Sequence, residues 1–156
     1  MKQRKGPYPS PGFPKLVAAN VVPPLVAAFS GEFTANVTGY PMGSVGLPGR
    51  ISDVWVSVAG SGKDDSATLS LAADVLINGT TCLTTNPVIA HVSGEAAQQK
   101  TTKVSGDTGV TQAVLSSSNS VSQGDIISCS LTLTRTASPT TEMNNVAVVV
   151  EFEPAF

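Results

Sequence analysis

The chain has 156 residues, a formal net charge of −2 and 13% charged residues, against about 25% in an average soluble domain. This length fits one domain with an appendage and excludes a two-domain enzyme, and 41% hydrophobic residues exclude disorder as the main state. The charge is unevenly divided: residues 1–31 hold four basic and no acidic residues, whereas residues 32–156 hold five basic and eleven acidic ones. Because a dedicated nucleic-acid binder normally carries a basic domain, we expect no nucleic-acid partner.

The first thirty residues are rich in proline. Six of the eleven prolines lie before residue 25, and since proline fixes φ and lacks an amide donor, they predict an extended arm over residues 1–30. The arm is too apolar to be left in water, which favours docking on another chain over wrapping around its own domain. The residues expected to bind that partner are Lys2, Arg4, Lys5, Tyr8, Phe13, Leu16, Val17, Leu25 and Phe29.

The same segment contains no uninterrupted apolar run. A proline-rich stretch follows the basic first residues, and Pro23 and Pro24 interrupt the longest apolar segment, Leu16 to Phe29. A secretory signal needs a continuous apolar stretch, and a membrane span needs about 20 apolar residues in one helix. We therefore expect a soluble protein with no membrane partner.

Beyond Gly49, apolar residues recur with a period of two. Val54, Val56 and Val58, for example, alternate with Asp53, Trp55 and Ser57, a pattern typical of half-buried strands. Turn residues separate such segments, and the Asn78-Gly79 pair predicts a type I′ hairpin. The predicted strands are 31–38, 50–59, 66–77, 80–84, 88–92, 110–116, 126–135 and 145–153. Residues 94–100 are expected to form a short helical turn or a loop.

Eight short strands predict an all-β fold, a jelly-roll-like antiparallel β-sandwich over residues 31–156 that follows the extended N-terminal arm. An immunoglobulin sandwich is the alternative, but it would place a tryptophan between two cysteines, whereas Trp55 precedes both Cys82 and Cys129. The two cysteines lie in apolar strand segments, which favours buried thiols over a single disulfide.

Candidate catalytic and metal-binding residues are few. His91 is the single histidine, and its apolar neighbours favour a strand residue with ordinary hydrogen bonds over a catalytic base. Asp64 and Asp65 could supply oxygen ligands for calcium, but no EF-hand spacing accompanies them, and a solvated turn is the favoured interpretation. We expect no catalytic residues, no metal site and no cofactor.

The outward strand faces consist mostly of Ser, Thr and Ala, with few charges. Few charges leave sheet edges weakly protected and favour burial against neighbouring subunits. The chain is therefore expected to associate with itself as a homotrimer, through apolar positions on the strand faces opposite the core.

Four segments together resemble the jelly-roll structural proteins of tailed bacteriophages. They are Gly49–Ile51 leading into Val54–Val58, the Leu76–Cys82 hairpin, Val121–Ile127 at the start of a strand, and the closing segment Asn145–Pro154. Among these proteins, the chain resembles the head decoration or cement proteins. These are trimers that clamp the capsid shell and often have an extended terminal arm. The resemblance covers residues 49–154 and brings no catalytic motif. Trimeric jelly rolls of the tumour-necrosis-factor and complement type, and phage fibre heads, share these features.

The resemblance implies a capsid decoration protein on the outer surface of the virion, with itself and the major capsid protein as partners. The arm would spread over adjacent capsomers and tie them together. The alternative is a fibre or spike head that binds a host glycan through loops 60–65 and 136–144. A small enzyme on a sandwich fold is a third interpretation.

Overall fold

The computed structural model of the chain describes residues 22–155. In this part the chain is all-β. The strands are β1 (Leu25–Phe33), β2 (Val37–Ser44), β3 (Gly49–Gly60), β4 (Ser70–Ile77), β5 (Thr80–Thr81), β6 (Leu83–Thr85), β7 (Val88–Ala90), β8 (Lys100–Thr101), β9 (Val110–Thr111), β10 (Val114–Leu115), β11 (Ser120–Val121), β12 (Ile126–Thr134) and β13 (Met143–Pro154). Residues 22–155 include no helix long and apolar enough to cross a membrane.

The strands form two antiparallel sheets packed face to face. The front sheet has the order β1-β13-β3-β11, with β8 also on β3, and the back sheet has the order β2-β12-β4-β7-β9, with β5 also on β4. Strands β6 and β10 form a separate two-stranded ribbon. Strands β1 to β4 alternate between the sheets, as do β12 and β13, which is the double Greek-key connectivity of a jelly roll. The predicted jelly-roll-like sandwich is confirmed.

The core lies between the sheets and is built from the inward residues of each strand. Val54 and Val56 of β3 and Leu71 and Val75 of β4 are at most 1% exposed, because alternate residues of a strand point to opposite faces of its sheet. Burying a side chain of this size stabilises the fold by about 1.5–3 kcal/mol before ordering costs. The period of two therefore predicted β3, β4, β12 and β13 correctly.

The first strand begins at Leu25, not at residue 31. Residues 25–29 pair antiparallel with residues 146–150 of β13. The last six residues of the predicted arm, 25–30, are therefore part of the front sheet, and the boundary between arm and domain moves toward the N-terminus. The reason is energetic: pairing with β13 satisfies the backbone and buries Ala27, which is 2% exposed.

The segment predicted as one strand, 31–38, is the end of β1 and the start of β2. The pairing of β1 with β13 is irregular between Phe29 and Glu32. Gly31 lies there with a φ of 82°, a left-handed conformation that favours glycine. Its N–H donates to Asn145 Oδ1 at 2.9 Å, so the bulge is fixed by a side chain of the neighbouring strand.

Asn78 and Gly79 form the predicted hairpin between β4 and β5. Their φ angles are 49° and 84°, both positive as a type I′ turn requires. The Asn78 side chain donates to Asp125 Oδ1 at 2.8 Å and accepts from the Ile126 N–H at 2.9 Å. Strands β8 and β11 were not predicted from the sequence, because two residues are too few to show a period. Of the segment expected to form a helical turn or a loop, residues 94–99 form a loop.

Cys82 and Cys129 are free and fully buried. Burial raises the pKa of both thiols to about 11, so the reactive thiolate is scarce at neutral pH. We expect the folded protein to resist a thiol reagent such as DTNB, and both cysteines to react once the chain is unfolded in denaturant. Fast labelling of the native protein at the unfolded rate would contradict this placement.

Candidate association surface

The outer face of the front sheet carries an apolar row across three strands. Val26 of β1 is opposite Val149 of β13, and Val149 is opposite Trp55 of β3. The next outward row contains Ala28 and Ala147, which are also opposite each other. Val26 is 51% exposed. We call Val26, Ala28, Trp55, Ala147 and Val149 the association surface; its small and apolar side chains suit close contact with another protein surface.

A charged cluster borders the association surface at Trp55. Lys103 Nζ lies 3.9 Å from the centre of the Trp55 ring, 2.6 Å from Asp53 Oδ2 and 3.3 Å from Glu151 Oε2. The hydrogen bond to Asp53, followed by that to Glu151, raises the pKa of Lys103. Lys103 therefore remains a cation and holds the indole against the sheet by a cation–π contact, and the charges stay at the border of the surface.

The outer face of the back sheet is polar by comparison. Ser128, Ser130 and Thr132 of β12 point outward between buried neighbours, and Ser130 Oγ accepts a hydrogen bond from the Gly39 N–H at 3.0 Å. Hydroxyl groups such as these remain favourably hydrated when the sheet faces water. The back sheet also exposes apolar side chains, Tyr40 at 43% and Ile126 at 54%, but β12 presents hydroxyl groups along its outer face where β13 of the front sheet presents Ala147 and Val149.

An apolar groove opens where β1 begins. Its volume is about 170 Å³, and Val22, Leu25, Val45, Leu47 and Phe152 are among the residues that line it. Leu47 is 48% exposed at its rim. An apolar cavity of about 150 Å³ is large enough to bind benzene. The groove therefore suits an apolar side chain of a partner and disfavours a charged one.

Two of the predicted partner-binding residues lie within the described part of the chain. Leu25 and Phe29 belong to β1 and pack against the domain's own core, and the Phe29 ring centre lies 5.8 Å from that of Phe33 and 5.0 Å from that of Tyr40. They are therefore elements of the fold and not anchors of a free arm, which corrects the sequence prediction. The remaining seven, Lys2, Arg4, Lys5, Tyr8, Phe13, Leu16 and Val17, lie outside the described residues.

His91 joins two loops at the opposite end of the sandwich from the groove. Its side chain is 2% exposed, and Nε2 lies 2.9 Å from Asp65 Oδ1. Asp65 also accepts a hydrogen bond from the Gly94 N–H at 2.9 Å and lies 3.2 Å from Lys63 Nζ. His91 follows β7 and does not lie in a strand as predicted; Nε2 makes the expected ordinary hydrogen bond, whereas the buried Nδ1 has no partner within residues 22–155.

Loops 60–65 and 136–144 meet at this end. The backbones of Lys63 and Thr141 bond to each other at 2.9 and 3.1 Å, and Asp64 accepts hydrogen bonds from the hydroxyls of Thr136 at 2.7 Å and Ser66 at 2.8 Å. Asp64 is 4% exposed, so the predicted solvated turn is in fact a buried, hydrogen-bonded one. Within residues 22–155, no group of three or more acidic, histidine or cysteine side chains is placed to hold a metal ion.

Acid should weaken the domain through the carboxylates at this end. Hydrogen bonds from the Gly94 N–H, His91 and Lys63 lower the pKa of Asp65 to about 2, and those from Thr136 and Ser66 lower the pKa of Asp64. Such a carboxyl binds fewer protons when folded, so its stabilising contribution is present above about pH 4 and is lost as the pH falls toward about 2. We expect the melting temperature of Asp65→Asn to fall less steeply over this range than that of the wild type.

The matched control is Asp107→Asn, because Asp107 is exposed. Circular dichroism melts from neutral pH downward give the melting temperatures of all three proteins. Equal slopes for Asp65→Asn and the wild type below about pH 4 would contradict the assigned hydrogen bonds.

The chain matches none of the known protein families, curated proteins or solved structures with which it was compared. Its function is therefore inferred from its own geometry.

The sequence predicted only part of the association surface. Period-two alternation placed Trp55 on an outer face of the sheet, but Val26 was assigned to the arm. The signal for β1 is the run Leu25–Phe29, which is apolar at every position and therefore fits an edge strand with both faces covered.

Proposed function

We propose that this chain is a structural protein of a virus particle, a decoration or cement protein that sits as a homotrimer on the outer surface of the capsid. Each copy contacts the major capsid protein and holds neighbouring capsomers together. The protein carries out no reaction in this role and needs no cofactor; binding is its whole mechanism. The jelly roll is compatible with the role because viral capsid and lectin domains use it, although a fold alone does not decide function.

The observation that carries the proposal is the association surface on the front sheet. Val26, Val149 and Trp55 are in register across three strands, and half of Val26 is exposed in the isolated chain. Charged side chains lie at its border, and the back sheet presents hydroxyl groups. A contiguous apolar patch with a polar rim is typical of a protein interface. The front sheet therefore supplies the contact between copies in this proposal.

Residues 1–21 supply the contact with the capsid in this proposal. They carry a formal charge of +4, from Lys2, Arg4, Lys5 and Lys15, and the apolar residues Tyr8 and Phe13. Opposite charge on the capsid would attract such a segment over about 8 Å at physiological ionic strength, and apolar burial would hold it. Chain length permits this, because 21 extended residues span up to about 70 Å.

A fibre or spike head that binds a glycan is the second candidate, favoured by one observation. Loops 60–65 and 136–144, which would form its binding site, are in contact through Lys63 and Thr141. However, the carboxylates of Asp64 and Asp65 already accept hydrogen bonds from the chain itself, which leaves them poorly placed to bind sugar hydroxyls. Decoration is therefore the better supported function.

Self-association is tested with a charge on the association surface. We expect Val26→Asp to convert the trimer to monomer at micromolar concentrations, because burying an unpaired carboxylate at an interface is costly. Thr132→Asp, an exposed position on the back sheet, is the matched control and should remain trimeric. Sedimentation velocity distinguishes the two states, and a trimeric Val26→Asp or a monomeric wild type would contradict the proposed interface.

The number of copies per virus particle distinguishes a decoration protein from a fibre head. A decoration protein should be present at hundreds of copies in the purified particle that contains it, whereas a fibre head should be present at tens or fewer. A quantitative gel against the major capsid protein gives the ratio, and a density map places the copies. A few copies at a tail tip would favour the fibre head and refute decoration.

A further inference from the structure

Residues 25–29 of β1 form a regular and uncharged free strand edge, and the bulge at Gly31 and the carboxylate of Glu32 lie beyond it. Residues 25–29 pair with β13 on one side without interruption, and β1 ends the sheet order on the other. The segment has no charged residue and no proline. Natural sheets usually protect such an edge with lysine, proline or a bulge, because its unpaired N–H and C=O groups can bind another strand.

The neighbouring edge shows that protection. β2 ends the back sheet, and it contains Pro41 together with Gly39 and Gly43 at φ of 60° and 150°. Its pairing with β12 shifts register twice. The other edge strands of the two sheets in the described part, β5, β8, β9 and β11, are two residues long. Residues 25–29 are therefore the longest regular end-strand edge of the two sheets in residues 22–155 that is open to a further strand.

The sequence contains a second copy of the residues that form β1. The tetrapeptide Leu-Val-Ala-Ala occurs at 16–19 and again at 25–28. The second occurrence is the one that pairs with β13. The first occurrence therefore offers the same side chains as β1, with apolar character on both faces.

We propose that residues 16–19 of one copy add as a strand to the free edge of β1 in a second copy of the chain. Main-chain hydrogen bonds supply the affinity in this mode of binding, and side-chain pockets supply the register. Antiparallel pairing of the two tetrapeptides puts Ala19 opposite Leu25 and Val21 opposite Pro23, which lines the apolar groove. The groove then covers an apolar side chain of the incoming segment.

We assign the donor segment to a second copy because the two prolines disfavour pairing within the same chain. With a tight turn at residues 20–21, Leu16–Ala19 would lie opposite Val22–Leu25, where Pro23 and Pro24 have no N–H to donate. A wider loop over 20–24 would have to reverse at Val22–Pro24, which the two prolines hold extended. Exchange between copies avoids both problems, and around a closed ring it fills every free edge.

This inference rests on the self-association part of the proposed function and divides the arm in two. Residues 16–19 bind a second copy, and residues 1–15 remain for the capsid. The test uses the full chain and no capsid. Its failure therefore leaves binding to the capsid untouched, whereas a monomeric wild type would refute the self-association on which both proposals depend.

The donor is tested with Val17→Pro, because proline removes the N–H and disfavours the added strand. We expect this variant to sediment as monomer at concentrations where the wild type is trimeric. Ser10→Pro, which lies in the arm but outside the repeat, is the matched control and should stay trimeric. A trimeric Val17→Pro would overturn the proposal, and an unchanged melting temperature shows that the sandwich itself is intact.

The acceptor is tested with Ser30→Lys, since lysine on an edge strand opposes pairing and Ser30 is exposed on β1 but lies outside the association surface. We expect this variant to be monomeric alone. Mixed with Val17→Pro it should form a one-to-one dimer, because one partner keeps a donor and the other an acceptor. A mixture that remains monomeric would mean that the arm binds its own chain, and the proposal would be wrong.

Discussion

A chain that begins at Val22 should keep the folded sandwich and lose the capsid binding that we propose. The deletion retains every strand and core residue that the structure describes in residues 22–155. It removes the basic and aromatic residues that the proposal assigns to the capsid. We expect binding to stripped particles to fall below detection in a co-sedimentation assay, while the circular dichroism spectrum stays that of a folded β-domain.

The deletion of residues 1–30 is the informative comparison. It removes most of β1, including Ala27 and the core contacts of Leu25 and Phe29, and it leaves β13 without its outer neighbour. Each lost large side chain contributes about 1.5–3 kcal/mol, so we expect the free energy of unfolding to fall by more than about 3 kcal/mol. Two outcomes would contradict this division of the chain. One is undiminished binding to particles when residues 1–21 are deleted, and the other is an equal free energy of unfolding for the two deletions.

Replacing Lys100 with alanine should be the most destabilising single change among the charged residues discussed here. Its side chain is 0% exposed, and Nζ lies 2.6 Å from Glu95 Oε2 and donates to the Thr108 carbonyl at 2.7 Å. The hydrogen bonds from Lys100 and Thr108 lower the pKa of Glu95. Glu95 is 23% exposed and can be hydrated when Lys100 is removed, but the Thr108 carbonyl loses its donor and truncation of the buried side chain leaves a void, so we expect Lys100→Ala to cost about 2 kcal/mol.

Lys103→Ala is the matched control for burial. Lys103 also lies 2.6 Å from a carboxylate, but its side chain is 37% exposed. Water screens exposed pairs, so this change should cost about 1 kcal/mol or less. Urea unfolding of both variants gives the two values, and equal losses would mean that Lys100 is not buried in solution.

Much of the fold could be predicted from alternation alone. Val54, Val56 and Val58 predicted β3, and the Asn78-Gly79 pair predicted the hairpin, because both signals are local. The start of β1 was missed for a physical reason: Leu25–Phe29 is apolar on both faces and follows two prolines, so it shows neither a period of two nor a sharp boundary. A strand that is apolar on both faces does not show the alternation by which strands are recognised in a sequence.

The candidate site was harder to predict than the fold because it depends on contacts between distant residues. Val26 and Val149 are 123 positions apart, and only the register of β1 with β13 brings them together. The pair of His91 and Asp65 is joined by loops whose path no local pattern specifies. The sequence did indicate that outward strand faces would carry few charges, but not which sheet would be the apolar one.

The two ends of the described chain lie side by side, and this decides where the molecule can be extended. Leu25 is opposite Val150, and Gly49 is opposite Pro154, so both ends of the described chain lie near the groove. Loop 136–141 lies at the far end of the sandwich, where it is joined to Lys63. A peptide inserted at Ser138, which is exposed, would therefore be displayed far from the groove and from both ends of the described chain.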